Sequence, residues 1–232
     1  MGVKLSFFDK LRLAILVCLF LGAILSVYII FKEDRNGVLT VAFLNIGQGD
    51  AIFIDSPTGN QMLIDGGVGK QILRELSKVM PFYDRSIDVV LTTHPDADHI
   101  GGIPDVLGKY QAKVFIEPGV ESDTGIYWEL ERLVGEKETT GKMKKIEARK
   151  GMTLDLGGGV ILKVLFPIID PRGMETNTAS IVAQLVYGEN EFLLTGDSPI
   201  SIEKYLVSLD LEAEGALLQS DVLKAGHHGS RT

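Results

Sequence analysis

Nineteen consecutive residues near the start of this 232-residue chain, Leu13 to Phe31 (LAILVCLFLGAILSVYIIF), carry no charge. As a helix the run spans about 28 Å, the thickness of one hydrocarbon core. It is apolar all round, so burial as a core helix fits poorly. Lys4, Lys10 and Arg12 precede it against Asp9 alone, whereas Lys32 and Arg35 behind it are balanced by Glu33 and Asp34. The positive-inside rule then predicts a cytoplasmic N-terminus over 1–12, a transmembrane anchor over 13–31, a linker over 32–37 and a folded domain over 38–232. The expected location is the cell membrane, single-pass, with the folded domain extracytoplasmic. The rival, a cleaved signal peptide, lacks a small-x-small cleavage site after the run.

Composition narrows the rest. Hydrophobic residues at 45% and charged residues at 23% exclude a disordered chain. A net charge of −8 repels polyanions, so nucleic-acid binding would need a local basic patch or metal ions. The one cysteine, Cys18, lies inside the apolar run, which leaves neither a disulfide partner nor a thiolate metal site. Beyond the linker, strands are predicted at Leu39–Asn45, Ala51–Asp55, Gln61–Asp65, Ile87–Thr93 and Lys113–Glu117, the second and third joined by the turn SPTGN. Helices are predicted over Gln71–Met80, Ile103–Tyr110 and Thr124–Gly135, the last with Trp128, Leu130 and Leu133 along one side. Further strands are expected at Lys144–Ala148, Val160–Phe166, Ser180–Tyr187, Glu191–Thr195 and Val222–Lys224, with a helix near Ser201–Leu209. This order implies two sheets flanked by helices.

The four histidines fall in two groups, His94 with His99 and His227 with His228. Scattered core or surface histidines would not cluster so. In H94-P-D96-A-D98-H99, Pro95 pushes His94 toward extended geometry, and residues 94, 96 and 98 of an extended chain share one side. Gly101 and Gly102 permit the turn that brings His99 round. Imidazoles and carboxylates converging on one volume suit zinc, manganese or iron. The bland alternative is a capped helix start with Asp98 as N-cap, which leaves both histidines unexplained. Asp197 in FLLTGD ends a strand and suits a bridge between two metals, although Gly-Asp after a strand is usually a turn. Asp65 in LIDGG and Asp50 in GQGD have the same shape, and for both a structural role stays open.

FLNIGQGDAIFID, LIDGG, THPDADHIGG, NTASIV, LLTGD and GHHGS occur in this order. Together they resemble the metallo-β-lactamase-like domain of ComEC-type DNA-uptake proteins, from Val38 onward. The resemblance implies an α/β fold, an αββα sandwich. It implies that His94 and Asp96 bind a first divalent ion, that Asp98 and His99 bind a second, that Asp197 bridges them, and that His227 or His228 completes the second site. Asp98 would orient the metal-bound water, His228 would donate a proton or hydrogen bond, and Asn177 and Ser180 would hold substrate. Where this chain has Asp96 and the 177–180 segment, many superfamily members have histidines. The poorer nitrogen set admits Mn2+ beside Zn2+, with one ion or two.

The implied activity is metal-dependent hydrolysis, first of phosphodiesters, with single-stranded DNA as a candidate partner. Hydrolysis of small esters or lactones is the alternative, and a non-catalytic metal- or partner-binding module is the rival outside enzymes. Lys142, Lys144, Lys145, Arg149 and Lys150 form a basic segment that reads equally as a nucleic-acid contact or a solvated hairpin edge. The anchor is a single helix, so the hydrolase domain carries over and the transport role does not. The sequence ends just behind AGHHGSRT, so the domain is expected to be incomplete at its C-terminus.

Overall fold

A computed structural model describes residues 6–33, 37–213 and 217–230, and places 1–36 and 37–232 in two separate compact units. Residues 34–36 of the expected linker, and Lys4, lie outside the described residues.

The first unit is one helix, α1 (Phe7–Glu33). It starts six residues before the uncharged run because Ser6 and Asp9 cap it reciprocally: the Asp9 amide donates to Ser6 Oγ at 3.2 Å, and Ser6 Oγ donates to Asp9 Oδ2 at 2.7 Å. This is a capping box, which satisfies end donors that would otherwise stay unpaired. Phe7–Ile29 is long and apolar enough to cross a membrane.

The second unit contains two sheets. β1 (Thr40–Phe43), β2 (Ile52–Asp55), β3 (Gln61–Ile64), β4 (Ser86–Leu91), β5 (Gln111–Glu117) and β6 (Lys144–Glu147) pair in sequence order. The first three are antiparallel, and β3 to β6 run parallel. Parallel neighbours need crossovers, supplied by α2 (Gln71–Val79), by α3 (Ala97–Ile100) with α4 (Ile103–Lys109), and by α5 (Gly125–Thr139). The other sheet has the order β11-β10-β9-β8-β7, with β7 (Thr153–Gly157), β8 (Val160–Phe166), β9 (Val182–Tyr187), β10 (Asn190–Leu194) and β11 (Val222–Lys224). α6 (Ile200–Glu212) connects β10 to β11.

Side-chain alternation builds the layers. Ile52, Ile54, Met62, Ile64, Val89 and Leu91 point to one face and pack with Leu162, Val164, Ala183 and Leu194 of the second sheet. Phe53, Leu63 and Val90, one residue out of phase, join Ile72, Leu76, Ile103 and Leu130 of the helices. On the far side, Val182 and Leu193 meet Leu206 of α6. The result is the expected αββα sandwich.

Two local expectations fail. Trp128 is 53% exposed, because the buried stripe of α5 is Tyr127, Leu130 and Val134, three and four residues apart. The extended run through Asp98 is also wrong, since α3 begins at Ala97 with Asp96 as its N-cap residue.

Two of the five basic residues of the 142–150 segment are paired with acidic neighbours. Lys145 Nζ lies 2.9 Å from Glu117 Oε1 and 2.6 Å from Glu131 Oε2, and Arg149 pairs with Glu147 at 2.8 Å. Glu117 is buried, and burial, with Glu131 adding repulsion, pushes its carboxyl up to about 7 despite Lys145. The folded protein therefore holds this proton where the unfolded chain has lost it. That stabilisation is complete below about pH 4.5 and is lost as pH rises through about 7. Glu117→Gln is thus expected to gain about 1–3 kcal/mol over the wild type at pH 8, with no difference near pH 4.5. Thermal denaturation at the two pH values checks this, and a difference that does not change with pH refutes it. Glu131 remains to pair Lys145 in the variant.

Candidate metal centre

Three glycine-bearing loops form the floor of the site by exchanging backbone hydrogen bonds. The Gly66 amide donates to the His99 carbonyl at 2.7 Å, the Gly67 amide to Asp50 at 2.9 Å, and the Gly102 amide to Gly67 at 2.9 Å. The approach is too close for side chains: a Cβ on Gly102 would lie 2.3 Å from the Gly66 carbonyl oxygen. GQGD, LIDGG and DADHIGG are therefore parts of one backbone assembly, and their glycines are needed for contact.

The loop leaving β4 carries His94, and α3 carries Asp98 and His99. His94 is 1% exposed, His99 is fully buried, and their ring centroids are 4.0 Å apart. Their orientation comes from Asp65, which ends β3 with φ 58°. Asp65 Oδ1 accepts from the Thr93 amide at 2.8 Å, and Oδ2 accepts from Thr93 Oγ1 at 2.7 Å. His99 Nδ1 also sits 2.8 Å from Asp65 Oδ2 and His94 Nδ1 sits 3.0 Å from Thr93 Oγ1. The Thr93 hydroxyl gives its proton to the carboxylate, so it can only accept from His94. Both rings thus carry a proton on Nδ1 toward this network, and both turn Nε2 the other way. Neither Nε2 has a hydrogen-bond partner although both are buried. Two buried imidazole nitrogens without hydrogen bonds, each with a carboxylate within 4 Å, fit a metal ion.

The second sheet supplies the opposite wall. Asp197 follows β10, its amide donating to Ser180 Oγ at 3.3 Å. Its Oδ2 lies 3.3 Å from His99 Nε2 and 3.3 Å from His228 Nε2. His228 reaches in from the 3-10 turn Gly226–Gly229 that follows β11. Both His227 (φ 42°) and His228 (φ 51°) hold left-handed backbone, costing roughly 1–3 kcal/mol each that the surroundings must offset. Such strain gathers at sites where a side chain must be aimed.

Of the residues expected from sequence, His94, Asp98, His99, Asp197 and His228 converge. His94, His99 and Asp197 offer ligand atoms within 4.8 Å of one another, and so do Asp98, His99 and His228. Asp96 stands beside the first group, Oδ2 3.7 Å from His94 Nε2, and its side chain makes no capping bond. His227 joins neither group. Ser180 differs from its expected role: it is fully buried and holds the Asp197 backbone, so it does not face substrate. Asn177 keeps a buried, unpaired Oδ1 on the neighbouring loop, where the Ile181 amide bonds the Thr93 carbonyl.

His94 is uncharged and ready to bind an ion, whereas His99 must give up a proton to do so. Burial, with the neighbouring His99, pushes His94 down to about 4 and keeps its lone pair free. Burial opposes a charge on His99, but Asp65 and Asp197 override it and push the ring up to about 10. Asp197 is held below the usual carboxylate range by His99 and Lys224 against the opposing effect of burial.

The sequence profile described as Metallo-beta-lactamase superfamily matches residues 44–232. The chain belongs to the metallo-β-lactamase superfamily. Recombination protein 2 of Haemophilus influenzae is 27% identical over 231 residues, covering 95% of this chain and 25% of that protein. ComE operon protein 3 of Bacillus subtilis is 25% identical over 218 residues, covering 82% and 25%. The chain therefore spans about a quarter of the length of these relatives, which agree with the competence-type resemblance of its motifs. Among solved structures, the diiron β-hydroxylase CmlA from Streptomyces venezuelae superposes with a TM-score of 0.50 at 19% identity, covering 79% of this chain and 34% of that one, and bears on the fold alone.

Metallo-β-lactamase folds bind divalent metals, commonly zinc, and the donor set here fits such an ion. Sequence reading left Asp65 undecided and passed over Thr93 and Lys224. For Lys224 a signal existed, a lysine closing the apolar strand just before AGHHGS. Asp65→Asn keeps the shape and tolerates positive φ, yet cannot accept from the Thr93 amide, the Thr93 hydroxyl and the His99 ring together as the carboxylate does. It is expected to weaken metal affinity about 10- to 100-fold with the fold intact, as read by zinc titration against a chromophoric chelator. Unchanged affinity would remove Asp65 from the site.

Proposed function

We propose that this chain is a membrane-anchored, metal-dependent hydrolase of phosphodiesters, holding one or two Zn2+ or Mn2+ ions. The observation that carries the metal reading is the pair of buried, unpaired Nε2 atoms of His94 and His99, facing Asp197. His94, with Asp96 and Asp197, would hold one ion; Asp98, His99 and His228 would hold the other, with Asp197 shared. Bound there, the metal supplies Lewis acidity and a water acidic enough to be a nucleophile near neutral pH. With an ion held there, Asp98 would help to hold it and would orient a water beside it. His228, the most exposed of the converging residues, would either complete that donor set or, where it does not bind the ion, donate to a leaving oxygen. Asn177 would position substrate from the 175–180 loop through its side-chain amide.

Phosphodiesters are favoured by the kinship with a recombination protein and a ComE operon protein. A partial match to Ribonuclease Z of Aeropyrum pernix, 30% identical over 110 residues and 46% of this chain, supports the same class. Lys145 and Arg149 are committed to acidic neighbours, so the reading does not lean on the basic segment. The test is turnover of bis-p-nitrophenyl phosphate and single-stranded DNA by the metal-free protein resupplied with Zn2+ or Mn2+. Metal-dependent cleavage is expected. Turnover confined to lactone or thioester substrates would overturn the substrate class.

The anchor is α1, whose helix runs through residues 32 and 33 of the expected linker, and the catalytic domain lies outside the cytoplasm. A phosphatase reporter fused to the C-terminus is expected to be active, and a cytoplasm-only reporter silent. The opposite pattern would reverse the orientation.

A further inference from the structure

Lys224, at the end of β11, buries its side chain to 10% exposure inside the site. Its Nζ bonds Asp50 Oδ2, lies 3.2 Å from Asp197 Oδ1, and donates to the Gly196 carbonyl at 2.6 Å. An ammonium has three hydrogens, and here three protein oxygens take them. None is left for substrate. Lys224 is therefore a fixed charge of the protein and not a substrate-binding arm.

The position of that charge matters. Asp50, Asp197 and His228 bring ligand atoms within 4.8 Å of one another, the same condition met by the two groups that would hold metal. His228 Nδ1 lies 3.7 Å from Asp50 Oδ1, and its Nε2 lies 3.3 Å from Asp197 Oδ2. By donor chemistry alone this corner is a third cation pocket. Lys224 stands between its two carboxylates. Because the lysine takes Oδ1 of Asp197, only Oδ2 faces His99 and His228.

Resting on the metal reading above, we propose that Lys224 is a resident cation that closes the Asp50 corner to metal and leaves Asp197 to enter the centre through Oδ2 alone. It is a positioning residue that sets how many ions the site takes. A tethered ammonium neutralises the two carboxylates without dissociating, and it repels a divalent ion from the same corner.

The test counts metal and does not depend on turnover. The full chain, solubilised in detergent and stripped of metal, is titrated with Zn2+ by calorimetry, and bound zinc is counted by plasma mass spectrometry. Lys224→Met is expected to bind one more Zn2+ per chain than the wild type, because Asp50 and Asp197 are left uncompensated. Asp50→Asn combined with Lys224→Met is expected to return to the wild-type count, and Lys224→Arg to keep it. Lys224→Gln, which removes the charge and keeps a donor, serves should Lys224→Met not fold. An unchanged or lower count in the charge-removing variants, with zinc still bound by the wild type, overturns the inference alone. A wild type that binds no zinc overturns it together with the metal centre.

Discussion

Asp98→Ala is expected to reduce hydrolysis by on the order of a thousandfold or more while leaving the fold intact. The carboxylate is the second residue of α3, on the solvent-facing side of the centre, with Oδ2 3.9 Å from His228 Nε2. In the group Asp98–His99–His228 it is the only anionic donor. Its loss removes a charge that holds the ion and the oxygen that orients the attacking water, together several kcal/mol of transition-state stabilisation. The fold has little reason to respond. The side chain is 26% exposed, and alanine is a better helix former than aspartate. Initial rates at saturating Zn2+, with circular-dichroism melting as control, separate the two effects. A variant that turns over at the wild-type rate would remove Asp98 from the machinery.

Gly49→Ala is expected to have the largest effect of any single methyl added to this protein. Gly49 has φ 85°, and a Cβ there would lie 1.7 Å from the carbonyl oxygen of Asp98 and 2.6 Å from its carbonyl carbon. Both are backbone atoms of α3 and cannot swing aside. Either the GQGD loop, which carries the Lys224 partner Asp50, or α3, which carries Asp98 and His99, must move. We expect a loss of about 3–5 kcal/mol in stability together with weakened zinc binding. Gly47→Ala is the control. It shares the left-handed backbone (φ 86°) but has open space around it, so it should cost only about 1 kcal/mol in backbone strain. Equal destabilisation of the two variants would show that close approach to α3 is unimportant.

Much of the fold was legible because its strands alternate so regularly. Ile52, Phe53 and Ile54 declare two faces on their own, and β8 and β11 fall where apolar runs placed them. β7 was missed because TLDLG is short, holds an aspartate between its two leucines and runs into a glycine turn. α3 was missed because four residues hold only one helical turn, too short for periodicity to register. The metal donors stood out because histidines in so small a number cluster only for a reason. Their supports did not, since a carboxylate ending a strand looks the same whether it closes a turn or grips an imidazole. Asp65 and Thr93 are 28 residues apart and meet only once β3 and β4 pair in parallel. Tertiary placement also divided the basic segment: Lys145 and Arg149 read as part of a patch in one dimension and as ion pairs in three.

His94, Asp98 and His99 leave the six-stranded sheet, whereas Asp197 and His228 leave the five-stranded one. About a hundred residues of chain separate His99 from Asp197, so the unfolded protein offers an ion no comparable grip. A bound ion therefore acts as a rivet through the two halves of the sandwich, and its affinity adds directly to their cohesion. Each tenfold rise of free metal above the dissociation constant deepens the native state by about 1.4 kcal/mol. The melting temperature of this domain would then be a gauge of the divalent metal around it, higher where its ion is plentiful and lower where it is scarce.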